Sequence, residues 1–185
     1  RCRPVAVLGV QGRNPQGPPT PRPFTAGANP PAAGAARNLA IASGPAGAAV
    51  GTGAPPAYGF QFGWSGDSAS APFVVHARLS KPFFAGAPAD SMSQGVFIGD
   101  GSQRDYLKVA LASIGGVFRI GVTHEVANVP TQTFTPVSGV AAADEIDLYL
   151  DVAPATGVVQ PWYQIDSGAK VQAGGPIVLP ALCAL

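Results

Sequence analysis

From residue 57 onward, apolar and polar positions alternate along the chain. Tyr58, Phe60, Phe62 and Trp64 alternate with Ala57, Gly59, Gln61 and Gly63. Phe73, Val75, Ala77 and Leu79 alternate with Val74, His76, Arg78 and Ser80. A short segment, Gly95–Gly99, sets Val96 and Ile98 on one side. Leu107, Val109 and Leu111 follow, then Phe118, Ile120 and Val122, then Ile146, Leu148, Leu150 and Val152, then Val159, Pro161, Tyr163 and Ile165. A period of two is the repeat of a strand with one face in a core. Gly66-Asp67-Ser68, Asp100-Gly101-Ser102, Gly115-Gly116 and Pro154–Gly157 supply turns between these runs. Pro176–Leu182 is the last strand candidate. Short strands at regular spacing predict an all-β antiparallel sandwich or jelly roll over 57–185.

Residues 1–56 read differently. Eleven of the 20 prolines fall there, in runs such as Gly17-Pro18-Pro19-Thr20-Pro21-Arg22-Pro23. Ala-Gly stretches at 32–36 and 46–54 are of low complexity. An extended arm is predicted, packing on its own domain or on a neighbour. Val5–Val10 and Leu39–Ala42 are strand candidates inside it.

Composition sharpens this in a few places. Gly (24) and Pro (20) make long helices hard to build. Charged residues are 11% of the chain, against roughly a quarter in an ordinary domain. The net charge of +1 gives no electrostatic reason to expect nucleic acid. No uninterrupted apolar run approaches the length of a membrane helix. Cys2 and Cys183, near the two ends, suggest a disulfide, and with low charge they point outside the cytoplasm. The start at Arg1 fits a processed protein or an excised domain.

The alternation also sorts polar residues onto strand faces. Opposite the apolar sets lie His76, Arg78, Tyr106, Lys108, Arg119, Asp147, Tyr149, Asp151, Gln160, Trp162 and Gln164. On one sheet these would make a polar face with aromatics embedded in it. Aromatic rings stack on the apolar faces of sugars, and carboxylates, amides and guanidinium groups bond their hydroxyls. Trp162, Tyr149, Asp147, Gln160, Arg119 and His76 are the candidate sugar-face residues. The bland alternative is a solvated face held by cross-strand pairs such as Arg119 with Asp147. Asp100 and Asp105, or Asp144 and Asp147, are calcium candidates without ordered ligand spacing. No other cofactor is expected. His124 beside Glu125 reads as a surface pair, and Phe83-Phe84 as residues buried under a loop.

The run Gly95-Val96-Phe97-Ile98-Gly99-Asp100-Gly101-Ser102-Gln103-Arg104-Asp105-Tyr106-Leu107-Lys108-Val109 resembles a hairpin of concanavalin A-like lectin/glucanase (laminin-G-like) jelly rolls. Gly116–Ile120 follows it as a third strand, and Ile146–Val152 with Val158–Ile165 resembles a later pair. The likeness covers roughly residues 57–166 and implies a module of a secreted bacterial protein. Glucanases of that type carry Glu-Ile-Asp followed closely by a second Glu. Here Glu145-Ile146-Asp147 is followed by Leu148, Tyr149 and Leu150, so the second carboxylate of a retaining hydrolase is missing. The resemblance therefore implies a non-catalytic, extracellular carbohydrate-binding or adhesive module. The alternative is a structural subunit of a fibre or surface assembly, with neighbouring subunits or a second copy as partner. A glycoside hydrolase ranks last.

Overall fold

The computed structural model describes residues 5–11, 50–51, 58–63, 71–84, 92–99 and 104–179, the first and third of these as backbone. Among the described residues there are strands and no helix. In chain order the strands are β1 (Val5–Gln11), β2 (Tyr58–Gly63), β3 (Phe73–Ser80), β4 (Met92–Gly99), β5 (Tyr106–Ile114), β6 (Val117–Val126), β7 (Val129–Pro136), β8 (Glu145–Ala153), β9 (Val158–Ile165), β10 (Val171–Gln172) and β11 (Ile177–Val178). They form two antiparallel sheets. The first has the order β2-β1-β4-β5-β6-β7; the second has the order β10-β9-β8-β3, with β11 also pairing β9.

The turns explain the hairpins. Gly115 (φ 59°) and Gly116 (φ 74°) are both left-handed, as a two-residue hairpin between right-twisted strands requires. Ala127 (φ 52°) and Asn128 (φ 65°) make the same kind of turn between β6 and β7 without glycine. Tertiary bonds hold that turn: the Ala127 amide donates to the Asp105 carboxylate at 2.9 Å, and the Asn128 amide to the Arg104 carbonyl at 3.0 Å.

The core lies between the sheets, making a β-sandwich. Val75, Ala77 and Leu79 of β3, Ile146, Leu148, Leu150 and Val152 of β8, and Val159 of β9 meet Val96 and Ile98 of β4, Leu107, Val109 and Leu111 of β5, and Ile120 and Val122 of β6. Phe83 and Phe84 join the same cluster, as their apolar character suggested.

The strand candidate Val5–Val10 is observed as Val5–Gln11, an inner strand of the first sheet bonded to β2 and β4. Other expectations change. β7 was not expected, because Pro130 and Pro136 break its pattern; it is an edge strand, where proline is tolerated. The last predicted strand shrinks to Ile177–Val178 within the described residues. Leu39–Ala42, the turns at 66–68 and 100–102, Asp100, and the Cys2–Cys183 disulfide lie outside the described residues.

Candidate functional site

Register places the polar residues of the second sheet in three rows across its outer face. His76 is paired with Tyr149, and Tyr149 with Trp162. On one side lies the row Arg78, Asp147, Gln164; on the other, Val74, Asp151, Gln160. Five of the six candidate sugar-face residues, His76, Asp147, Tyr149, Gln160 and Trp162, therefore share one face. The sixth does not. Arg119 lies on β6 in the other sheet, between Ala112 and Pro136, so the expected pair with Asp147 does not form. Tyr106 and Lys108 also belong to that other sheet. Residue parity gave the side of each strand but not the sheet it joins.

Asp147 is the centre of the face. Its carboxylate takes a bidentate pair from Arg78, 2.8 Å from Nε and 3.0 Å from Nη2, and lies 2.6 Å from His76 Nε2. Its side chain is 1% exposed, while those of Arg78 and His76 are 52% and 42% exposed. The Arg78 guanidinium and the His76 ring thus roof a buried anion. Burial alone would raise the Asp147 pKa, but the hydrogen bonds and charges of Arg78 and His76 outweigh it and hold the carboxyl below its ordinary value. The same bond to Asp147, helped by nearby Glu145, raises Arg78. Arg78 Nη1 also reaches Glu145 at 3.0 Å.

The aromatic row is a stack. The His76 and Tyr149 rings lie 4.6 Å apart and 10° from parallel. This matches the spacing of neighbouring strands, so the rings stand upright on the sheet, side by side. Lys170, from the turn after β9, sets its ammonium 4.7 Å from the Tyr149 ring centre and 4.9 Å from that of Trp162. His76 fills one face of Tyr149, so the ammonium takes the other. Lys170 also bonds both Asp151 oxygens, at 2.9 and 2.8 Å. The Tyr149 hydroxyl donates to Gln164 Oε1 at 3.0 Å. Burial, then the nearby Asp147 charge, raises the Tyr149 pKa. The Trp162 indole N–H is buried and has no hydrogen-bond acceptor.

The two glutamines hold the turns. Gln160 Nε2 donates to the carbonyls of Pro161 (2.9 Å) and Gly174 (2.8 Å), and Gln164 Nε2 to that of Gly168 (2.9 Å). Asp166, with φ 47°, accepts the amides of Asp144 and Glu145, each at 2.9 Å. These bonds bring the 166–175 turn region, and with it Lys170, over the face. Sequence reading missed Lys170, because it lies outside any alternating run. Its only signal was a cation in a Gly/Ser-rich stretch just after a strand.

Of the calcium candidates, Asp100 lies outside the described residues, and the others have partners or exposure of their own. Asp105 is engaged by the Ala127 amide and lies 3.5 Å from Arg104. Asp147 is roofed by Arg78 and His76, while the Asp144 side chain is 87% exposed. Among the described residues, no group of three or more His, Cys, Asp or Glu side chains could hold a metal ion. Nor do His124 and Glu125 form a surface pair: Glu125 is fully buried and accepts the Gly51 amide at 2.9 Å, and burial lowers the His124 pKa.

No family model, curated protein or solved structure matches this chain.

Proposed function

We propose that this sandwich is a non-catalytic binding module of a secreted or cell-surface protein, with a glycan as its ligand and a concanavalin A-like jelly roll as its architecture. One observation carries the reading: the cross-strand row His76–Tyr149–Trp162 on an outer sheet face, flanked by rows of hydrogen-bonding side chains. A ridge of rings between polar rows suits a ligand with apolar ring faces and equatorial hydroxyls. Tyr149 has both ring faces engaged, so stacking falls to Trp162 once Lys170 swings aside. The Lys170 ammonium is a donor for sugar hydroxyls.

The non-catalytic part rests on Asp147. Arg78 and His76 hold it ionised, so it is no proton donor at neutral pH. The chain has one other carboxylate in the Glu-Ile-Asp run, Glu145, and Arg78 engages it too.

Glycan-array binding tests the reading. The expected result is a restricted set of glycans, lost in Trp162→Ala while far-UV circular dichroism is unchanged. Uniform absence of binding, or binding indifferent to Trp162→Ala, overturns it.

A further inference from the structure

The second sheet ends on β3, and among the described residues no strand pairs with its outer edge. β8 is the strand bonded to β3, in unbroken register from Phe73 to Ser80. The backbone phase of this edge follows from the hydrogen bond at its end. Lys81 N donates to Asp144 O at 2.9 Å, which makes residues 81 and 144 a bonded pair. Bonded pairs recur every second residue in an antiparallel ladder. Ala77 and Leu79 therefore bond β8, whereas Val74, His76 and Arg78 aim their N–H and C=O groups out of the sheet edge.

In the second sheet the opposite edge is short, since β10 and β11 have two residues each, and in the first sheet the edge strand β7 carries Pro130 and Pro136, while β2 forms that sheet's other edge. β3 has eight residues, no proline within them, and Val74 54% exposed. Its one charge, Arg78, is already paired with Asp147 and Glu145.

We propose that β3 pairs antiparallel with β3 of a second copy, on a twofold axis at His76. The edge is self-complementary in that register. His76 meets His76 of the second copy as a bonded pair, and Val74 meets Arg78 on either side. About six backbone hydrogen bonds form, two per bonded pair. Val74 is covered by the aliphatic stem of Arg78. The free face of the His76 ring continues the stack that already runs through Tyr149. A twofold axis at Arg78 would instead set two guanidinium groups opposite each other, which is unfavourable. The two second sheets then become one continuous sheet, and their outer faces lie on the same side of it. This places two copies of the candidate binding face together, although the pairing does not depend on what that face binds.

Sedimentation velocity from micromolar to millimolar concentration tests the pairing. The mass should rise from 18.6 kDa toward twice that value. Val74→Lys puts a second cation beside Arg78, and Val74→Pro removes an outward N–H without touching a β8 bond. Each should weaken dimerisation at least about tenfold while leaving the fold intact. Should either variant unfold, a cross-link decides. Paired Cα atoms lie about 5.5 Å apart at a bonded pair, within reach of a disulfide. His76→Cys should then oxidise to a dimer linked at position 76, identified by peptide mapping, and Val74→Cys should not link to itself. A monomer at all concentrations, a dimer indifferent to both Val74 variants, or linkage through Val74→Cys in place of His76→Cys overturns the proposal. Glycan binding is read separately, so its loss leaves this result standing.

Discussion

Asp147 is a buried anion that the fold keeps charged, and its surroundings fix how the molecule responds to acid. Its pKa in the folded chain lies below the unfolded value, because Arg78 and His76 outweigh desolvation. The stabilisation is therefore fully present above the ordinary aspartate range and is lost as pH falls through the depressed folded value. Unfolding by urea should show stability falling from about pH 5 toward pH 2. Asp147→Asn should flatten that limb and cost about 2 kcal/mol at pH 7, since it removes the charge-assisted bonds that Arg78 and His76 make to the carboxylate. An acid limb identical in the variant would show that other carboxylates set it. Arg78→Ala exposes the same dependence from the other side, by leaving the carboxylate unroofed. Trp162 and Tyr149 were readable as face residues because alternation alone assigns them. The roofing of Asp147 was not, because Arg78 and His76 are about seventy residues away in the chain and meet it through the β3–β8 register.

Among the elements, the strands that strict alternation announced are the ones observed, and the misses have local causes. β7 escaped because its residues are largely exposed on both sides, which erases the period-two signal. The turn before it escaped because Ala127-Asn128 carries no glycine and takes its left-handed shape from bonds to residues 104 and 105. Two glycines inside strands show how tightly the ladder constrains sequence. A Cβ on Gly95 of β4 would run into the Val109 carbonyl oxygen and come within 2.6 Å of Ala110 Cα, both backbone of β5. A Cβ on Gly121 of β6 would instead meet the Phe134 ring at 2.7 Å, a side chain on the edge strand. The Phe134 ring is partly exposed and can turn about its side-chain bonds, whereas the β5 backbone cannot move without breaking its ladder. Gly95→Ala should therefore cost about 3 kcal/mol or more and Gly121→Ala about 1 kcal/mol or less, by chemical denaturation. Equal costs would mean that β4 and β5 separate more easily than their shared core suggests.

At the scale of the whole molecule the two sheets treat their outer faces in opposite ways. The second sheet leaves its polar rows open, and the candidate site stands there. The first sheet buries its outer side: Tyr106, Ala110, Ala112, Thr123 and Glu125 are all covered, and the Gly51 amide reaches Glu125. Alternation could not show this, since both sheets present the same period and what covers a face comes from remote sequence. Lys108 sits on that covered side, opposite Thr123. Burial lowers its pKa to about 8, against an ordinary 10.5, with Glu125 pulling weakly the other way. Below about pH 8 the ammonium is charged in both states, and the folded state bears the full desolvation penalty. Between about 8 and 10.5 the unfolded chain binds the proton that the folded chain has released, so stability must rise with pH. Tyr106 ends that rise. Burial and its bond to Glu125 push its pKa well up, so above about pH 10 the unfolded chain ionises a tyrosine that the folded chain keeps neutral. Thermal unfolding across this range should give a maximum near pH 10 rather than near neutrality. Lys108→Met keeps the length of the side chain and removes the charge. It should be more stable than the parent at pH 7, by about 2 kcal/mol, and should lose the alkaline rise. A variant less stable at pH 7 would mean that the ammonium is held by Glu125 as a net favourable pair, and that the covered face relies on charge.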